Sequence, residues 1–252
     1  MFNPMSLEGR TVLVTGASSG LGRETSILLS RLGAKLILVG RQRDQLQATA
    51  AQLAPAPYRI EEFDLNQLDA INEWLKRIAT EEGGLHGLVH CAGIQAFSPL
   101  RMMKRDKIDQ LLRINFLAAV ELTKAFRQRD VCRKPASLVF LSSVMGLVGM
   151  PALSIYCASK GALDSFCRSM ALEYASEDIR VNCVCPGLVR TEMSAKMEQQ
   201  MTAEQFAAVQ AAHPLGLGSP QDVANAVAFL LAETGRWITG TTLVVDGGYT
   251  AK

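Results

Sequence analysis

The sequence predicts an α/β domain: a doubly wound parallel sheet of about seven strands flanked by helices, spanning 1–252 as a single unit. Three observations point there. Short runs of branched apolar residues alternate with amphipathic stretches from end to end. The runs are continuously apolar rather than alternating, which suits strands covered on both faces. The 252 residues contain no linker, repeat or low-complexity tract, and a chain of that length can close one core without disulfides.

The elements follow in order. Thr11–Thr15 (TVLVT) reads as the first strand, followed by a glycine-rich turn and a helix over about 21–32. Lys35–Val39 (KLILV) precedes a helix at 42–54, and a weaker run at Tyr58–Phe63 precedes one at 67–80. Gly87–His90, a long helix at 104–129, Ser137–Leu141, a helix at 155–175, Ile179–Val184, a helix at 220–232 and Thr242–Val245 complete the chain. Repeated strand–helix–strand units imply right-handed crossovers. The segment from about 190 to 214 breaks this pattern, and a connection that long reads as a lid. Within it Met193, Met197 and Met201 recur every four residues. On a helix they form one flexible apolar face, packed on the core or covering a substrate.

Several classes fall away. The net charge is 26 − 24 = +2, which gives little attraction to nucleic acid or an anionic membrane. The opening MFNPMSLEGR lacks a basic region followed by an apolar one, so a cytoplasmic location is expected. The longest uncharged run, Pro135–Ser159, is broken by Ser142, Ser143, Gly146, Gly149, Pro151 and Ser154 and reads as strand, loop and helix, not a membrane span. Cysteines 91, 132, 157, 167, 183 and 185 sit mostly in apolar segments and are expected as free thiols. Cys183 and Cys185 form C-x-C, and His86, His90 and His213 show no ligand spacing, so no metal is expected.

Thr15–Gly22 reads TGASSGLG between the first strand and the first helix. Glycines at 16, 20 and 22 permit a tight turn and close approach, and the helix N-terminus offers unpaired N–H groups to a pyrophosphate. The spacing is G-x-x-x-G-x-G rather than G-x-G-x-x-G. Nineteen residues past Gly22 (41 − 22) stands Arg41, where an acidic residue would hold a free ribose hydroxyl; Arg43 follows. An arginine there suits a 2′-phosphate, which favours NADP(H) over NAD(H). The alternative is a solvated Arg41 at a helix start.

Tyr156-Cys157-Ala158-Ser159-Lys160 places a phenol and an ammonium one turn apart on a helix face. A free tyrosine titrates near 10; a neighbouring lysine cation and an oxidised nicotinamide are expected to lower that. Ser142–Ser143 closes the fifth strand, at the edge where doubly wound sheets bind ligands.

TGASSGLG, Tyr156-x-x-x-Lys160, Ser143 thirteen residues before the tyrosine, Pro186-Gly187 and the terminal VDGG together resemble the short-chain dehydrogenase/reductase family over the whole chain. The resemblance implies a Rossmann-type sheet, a nicotinamide cofactor and a Ser143–Tyr156–Lys160–Asn115 site. Tyr156 would be the general acid, Ser143 would orient the carbonyl, and Lys160 would hold the nicotinamide ribose and tune Tyr156. Asn115 would support a proton-relay water, Asp64 would contact adenine and Thr191 would lie near the carboxamide. Cofactor contacts carried over in this way fall on Gly16, Ser18, Ser19, Gly20, Leu21, Gly22, Arg41, Asp64, Leu65, Ala92, Gly93, Tyr156, Lys160, Pro186, Gly187, Val189 and Thr191. Substrate contacts fall on Ser143, Met145 and Met193. One departure stands out: His90-Cys91-Ala92-Gly93 replaces the family's N-N-A-G, and His90 reads as a structural substitute rather than a catalytic base.

SLEGRTVLVTGASSGLG and ITGTTLVVDGGY are similar to bacterial 3-oxoacyl-acyl-carrier-protein reductases, although sugar, steroid and alcohol dehydrogenases share those ends. VHCAGIQAFSPLR resembles oxidoreductases of surface-polysaccharide pathways. Val144, Met145, Leu147, Val148 and Met150 promise an apolar mouth suited to an acyl chain. The expected activity is NADP(H)-dependent reduction of a carbonyl to a secondary alcohol, or the reverse, foremost on a 3-oxoacyl substrate. The alternatives are a sugar or polysaccharide-precursor substrate and, in another class, a non-catalytic NADP-binding regulator or scaffold. Intact Ser143, Tyr156 and Lys160 argue against the last. The helices at 104–129 and 155–175 carry Ile114, Phe116, Leu117, Val120, Leu163, Phe166 and Met170 on more than one face, so a homotetramer is expected, with a dimer as alternative.

Overall fold

A computed structural model describes residues 3–199 and 201–251, and in it all seven expected runs pair as one parallel sheet in the order β3-β2-β1-β4-β5-β6-β7. The strands are β1 (Thr11–Thr15), β2 (Lys35–Gly40), β3 (Tyr58–Glu62), β4 (Leu85–His90), β5 (Cys132–Leu141), β6 (Ile179–Pro186) and β7 (Thr242–Val245). Side chains alternate between the faces of a strand, and β1 displays this directly. Leu13 joins a core formed with helices α3 (Ile71–Glu82), α5 (Ala118–Phe126) and α6 (Ser154–Tyr174). Val12 and Val14 join the opposite core, under α1 (Gly20–Arg31), α2 (Arg43–Ala50) and α9 (Pro220–Leu231). Burial on both faces explains why these strands read as unbroken apolar runs.

The strand order reverses between β1 and β4, where Thr15 pairs with His90. Chain exits on either side of this point diverge and leave a crevice beyond the carboxyl ends.

Three expectations need correction. The helix expected at 104–129 is interrupted: α4 (Arg105–Leu112) passes through a π-turn at Arg113–Leu117 before α5. Asn115 lies in that turn, and its amide bonds the Ile94 backbone in both directions, holding the wider turn in place. The fifth strand begins at Cys132 rather than Ser137. The 190–214 segment forms α7 (Glu192–Glu198) and α8 (Ala203–Ala211), each opened by a capping box, Thr191 with Ser194 and Thr202 with Gln205. Helix α7 ends before Met201, so the three methionines do not share one helical face.

Among the described residues no helix is long and apolar enough to cross a membrane. The six cysteines are free thiols. Among the described residues no cluster of three or more His, Cys, Asp or Glu could hold a metal ion.

Candidate active site

The crevice divides into two joined clefts. The first lies over the turn between β1 and α1. Gly16 has φ +67°, and a Cβ there would stand 2.8 Å from the Ala92 amide nitrogen; one on Gly22 would run into the Gly16 carbonyl oxygen. Backbone therefore packs on backbone, and only glycine fits. Ser19 caps α1 without a side-chain bond, and the first turn carries no acidic residue. The first N–H groups and the positive dipole end of α1 are thus free to meet an anion. Arg23 braces the turn: Nη2 donates to Ser18 O at 2.6 Å and Nη1 to Glu192 Oε1 at 3.1 Å, joining the loop to α7.

Of the expected cofactor residues, Gly16, Ser18, Ser19, Gly20, Leu21, Gly22, Arg41, Asp64, Leu65, Ala92, Gly93 and Thr191 all line this cleft. Arg41 is exposed just beyond β2, whereas Arg43 opens α2 and is not part of the lining. The glycine cradle, the uncapped α1 terminus and Arg41 fit a nicotinamide dinucleotide.

The second cleft is floored by Ser143 and Tyr156. Ser143 Oγ accepts from Met145 N–H at 3.2 Å, leaving its own proton to donate. Lys160, one turn along α6 from Tyr156, lies with Nζ 5.7 Å from the Tyr156 ring centroid and donates to Leu141 O at 2.7 Å. A Cβ on Gly93 would stand 3.4 Å from both Lys160 Nζ and Asn115 Oδ1, so these two buried side chains lie just behind that glycine, although neither lines a cleft. Both donor protons of the Asn115 amide are committed to protein partners. Its Oδ1 accepts from Ile94 N–H at 2.8 Å, and Nδ2 donates to Ile94 O at 2.9 Å and to Ser159 Oγ at 3.0 Å. Ser159 in turn donates to Tyr156 O at 2.7 Å. The side chain thus ties the loop after β4 to the helix carrying Tyr156.

The protein's own groups do not lower the phenol as expected of Lys160. Desolvation pushes the Tyr156 phenol up to about 12, with the Ser143 hydroxyl opposing, rather than down. Burial lowers Lys160 to about 8, opposed by Cys183, Cys185, Cys91 and Asp164. With its ammonium turned to Leu141 O, Lys160 does not offset the phenol's loss of water. At neutral pH the pair is a neutral phenol beside a lysine that is mostly charged.

His90 is 1 % exposed. Its Nδ1 lies 3.0 Å from Thr15 Oγ1, which also accepts from Ala92 N–H at 3.2 Å. Burial, then the Lys160 charge, lowers the imidazole to about 3. This neutral ring bridges β1 and β4 through Thr15, which also holds the Ala92 turn, while its Nε2 is buried without a hydrogen-bond partner.

The walls of the second cleft are largely apolar. Val144, Met145, Met150 and Leu153 come from the Ser143–Tyr156 connection, Met193 and Met197 from α7, and Val209 from α8. Leu147 and Val148 do not line it and stand 48 % and 37 % exposed, so the apolar mouth is narrower than expected. Pro186, Gly187 and Val189 border this cleft, rather than the cofactor side. Leu21, Thr191 and Met193 face both clefts and mark where they join.

Sequence reasoning missed Phe63, Cys91, Ile94 and Glu192 in the first cleft and Gln95, Leu188, His213 and Tyr249 in the second. His213 is buried, accepts from Leu188 N–H at Nε2 (3.1 Å), bonds Val209 O through Nδ1 (2.8 Å) and stacks on Tyr249 at 4.7 Å. Only the lone histidine ending the irregular segment hinted at this closure of the cavity.

A family model described as enoyl-(acyl carrier protein) reductase matches residues 16–250. The chain belongs to the short-chain dehydrogenase/reductase family. Among relatives, the 3-oxoacyl-acyl-carrier-protein reductase FabG of Escherichia coli K12 is 34% identical over 247 residues, covering 97% of this chain and 98% of that one. The 2-(S)-hydroxypropyl-CoM dehydrogenase 3 of Xanthobacter autotrophicus is 32% identical over 250 residues, covering 97% and 98%. Among solved structures, one from Beutenbergia cavernae, assigned as an NAD(P)-dependent gluconate 5-dehydrogenase and holding NADP at low occupancy, superposes with a TM-score of 0.93 at 29% identity, covering 99% of this chain and all of that one. This short-chain dehydrogenase/reductase is therefore an oxidoreductase that uses a nicotinamide cofactor.

Proposed function

We propose that the protein reduces the keto group of an apolar, 3-oxoacyl-type substrate to a secondary alcohol with NADPH. The observation that carries this is the junction of the two clefts. Two hydroxyls, on Ser143 and Tyr156, floor a methionine-rich cavity that opens at Leu21, Thr191 and Met193 onto a cleft ending at Arg41.

In this reading Gly16, Gly22 and the α1 N-terminus receive the pyrophosphate, Arg41 pairs with the 2′-phosphate and Gly93 admits the nicotinamide end beside Lys160. The reduced nicotinamide, when bound, supplies hydride. Ser143 donates a hydrogen bond to the carbonyl oxygen, and Tyr156, neutral at working pH, gives that oxygen its proton. Lys160, beside Gly93, holds the ribose at that end. Asn115 keeps Tyr156 in place through Ser159. Helices α7 and α8, latched by His213, exclude water above the cavity.

The likeness to a gluconate dehydrogenase structure favours a second reading, a sugar-derived ketone, with Gln95 as an additional polar group in the cavity. We also infer a homotetramer. Ile114 and Leu163 are buried in the protein's own core, but Leu117 on the π-turn is 40 % and Leu172 on α6 is 83 % exposed, leaving apolar surface for a partner subunit. Light scattering that returned the 27.3 kDa monomer mass at micromolar concentration would refute this.

NADPH oxidation measured against 3-oxoacyl thioesters and keto-sugars tests the proposal. Turnover on the thioesters is expected to exceed that on the sugars. The reverse order would assign the sugar reading, and no oxidation of either class would leave a binding protein without turnover.

A further inference from the structure

Asp164 lies four residues beyond Lys160, one turn further along the same face of α6. It is 2 % exposed, and Lys160 at 5 % is the only buried lysine or arginine among the described residues. Asp164 Oδ1 accepts the Cys185 thiol at 3.6 Å, and Oδ2 has no hydrogen-bond partner. The carboxylate sits in a seam. The turn after Ser143 runs so close to α6 that a Cβ on Gly146 would stand 2.6 Å from Asp164 Oδ2 and 2.9 Å from the Gly161 nitrogen. Ser142 Oγ crosses the same seam to donate to Lys160 O at 3.1 Å.

Burial raises the Asp164 carboxyl above its ordinary value, and a buried carboxylate oxygen without a donor is costly unless an opposite charge stands near. The groups acting on Asp164 are Ser142 after β5, Cys183 and Cys185 on β6, and Lys160 and Arg168 on α6. Arg168 is exposed, and one of its guanidinium nitrogens is turned to Ser165. The groups acting on Lys160 are Cys91, Cys183, Cys185 and Asp164, with Tyr156 and His90 beside it. Asp164 is the only carboxylate in that set, and among the described residues Lys160, one helical turn away with its ammonium at Leu141 O, is the only buried cation acting on Asp164.

We propose that Asp164 is the buried counter-charge of Lys160, a positioning residue that keeps the ammonium protonated across the working pH range from within the Ser143–α6 seam. This rests on the reading that Lys160 acts with Tyr156. The desolvation that drives Lys160 toward neutrality is then opposed in part by a carboxylate one helical turn away. It also gives a reason for Gly146, whose missing side chain leaves room for the carboxylate.

The test is the pH profile of kcat/KM for the full-length Asp164→Asn variant, measured with NADPH and the best ketone of the panel. The amide keeps the shape and removes the charge. The alkaline limit is expected to move to lower pH by about half a unit or more. Loss at pH 8 should then exceed loss at pH 6.5 several-fold. A profile lowered by one factor at every pH would overturn the proposal. If the variant does not fold, titration of the parent by NMR with labelled aspartate and lysine decides. An ionised Asp164 at pH 7, with Lys160 still charged, is expected; an Asp164 that stays protonated from pH 6 to 8 would overturn it. That titration needs no turnover. An active Tyr156→Phe variant would therefore break the catalytic reading while leaving the charge pair standing.

Discussion

The two clefts meet at Leu21, Thr191 and Met193 but are built differently. The cofactor cleft rests on main chain. Its floor is a contiguous turn, Gly16–Gly22, packed on Ala92 and opening directly into α1. The substrate cavity is mostly side chain, gathered from Gln95, the Ser143–Tyr156 connection, the exit of β6, α7, α8 and Tyr249. A ligand shared by many enzymes can be met by backbone N–H groups and a helix dipole, which tolerate little variation. A ligand peculiar to one enzyme is met by exchangeable side chains on loops, which tolerate much.

The largest way to sharpen this contrast is Arg41→Asp, at the one cationic side chain that lines the cofactor cleft among the described residues. Removing a charge-assisted bond to phosphate should weaken NADPH about ten- to a hundredfold. NADH binding should improve, because the new carboxylate accepts from a free ribose hydroxyl. Fluorescence titration of both cofactors reads this. Parental protein that bound NADH as tightly as NADPH would contradict the assignment.

A smaller effect is expected on the other side. Met197 lines only the substrate cavity. Met197→Ala should raise KM for apolar ketones about three- to fivefold, from roughly 1 kcal/mol of lost apolar contact. NADPH affinity should stay within twofold. If cofactor binding fell as far as KM rose, the clefts would not be separately built.

The smallest effect at neutral pH is expected from His90→Asn, which keeps a polar group between β1 and β4. Its signature lies in acid. Burial holds the folded His90 to about 3 against an ordinary 6.5, so between those values the unfolded chain binds a proton that the folded one refuses. Stability is therefore lost as pH falls from 6.5 toward 3, by at most about 1.4 kcal/mol per unit for this one group. The variant should flatten that slope in urea melts recorded across the window. An unchanged slope would mean His90 charges freely in the fold.

The same contrast sets how much was legible beforehand. All seven strands and the phosphate turn could be read from local pattern, because period and glycine spacing are local properties. Ser143 and Tyr156 were expected together through the family resemblance, and the structure brings both to the second cleft. The break at Asn115 was not, because it depends on bonds to Ile94, twenty-one residues away. Nor was the rise of the Tyr156 phenol, since the charge sequence shows Lys160 nearby but not its ammonium turned to Leu141 O. His213 and Tyr249 reach the cavity through a stack that no spacing rule encodes.

Tyr156 stands where the two clefts have to work together, so Tyr156→Phe tests the account most directly. NADPH binding and single-turnover reduction should be measured on the same preparation. The phenol makes its decisive interaction as the proton is transferred, so the chemical step should fall at least about a hundredfold. NADPH affinity should change less than twofold. A variant that reduces the ketone within a few-fold of the parent rate would contradict the assignment of Tyr156 as the acid.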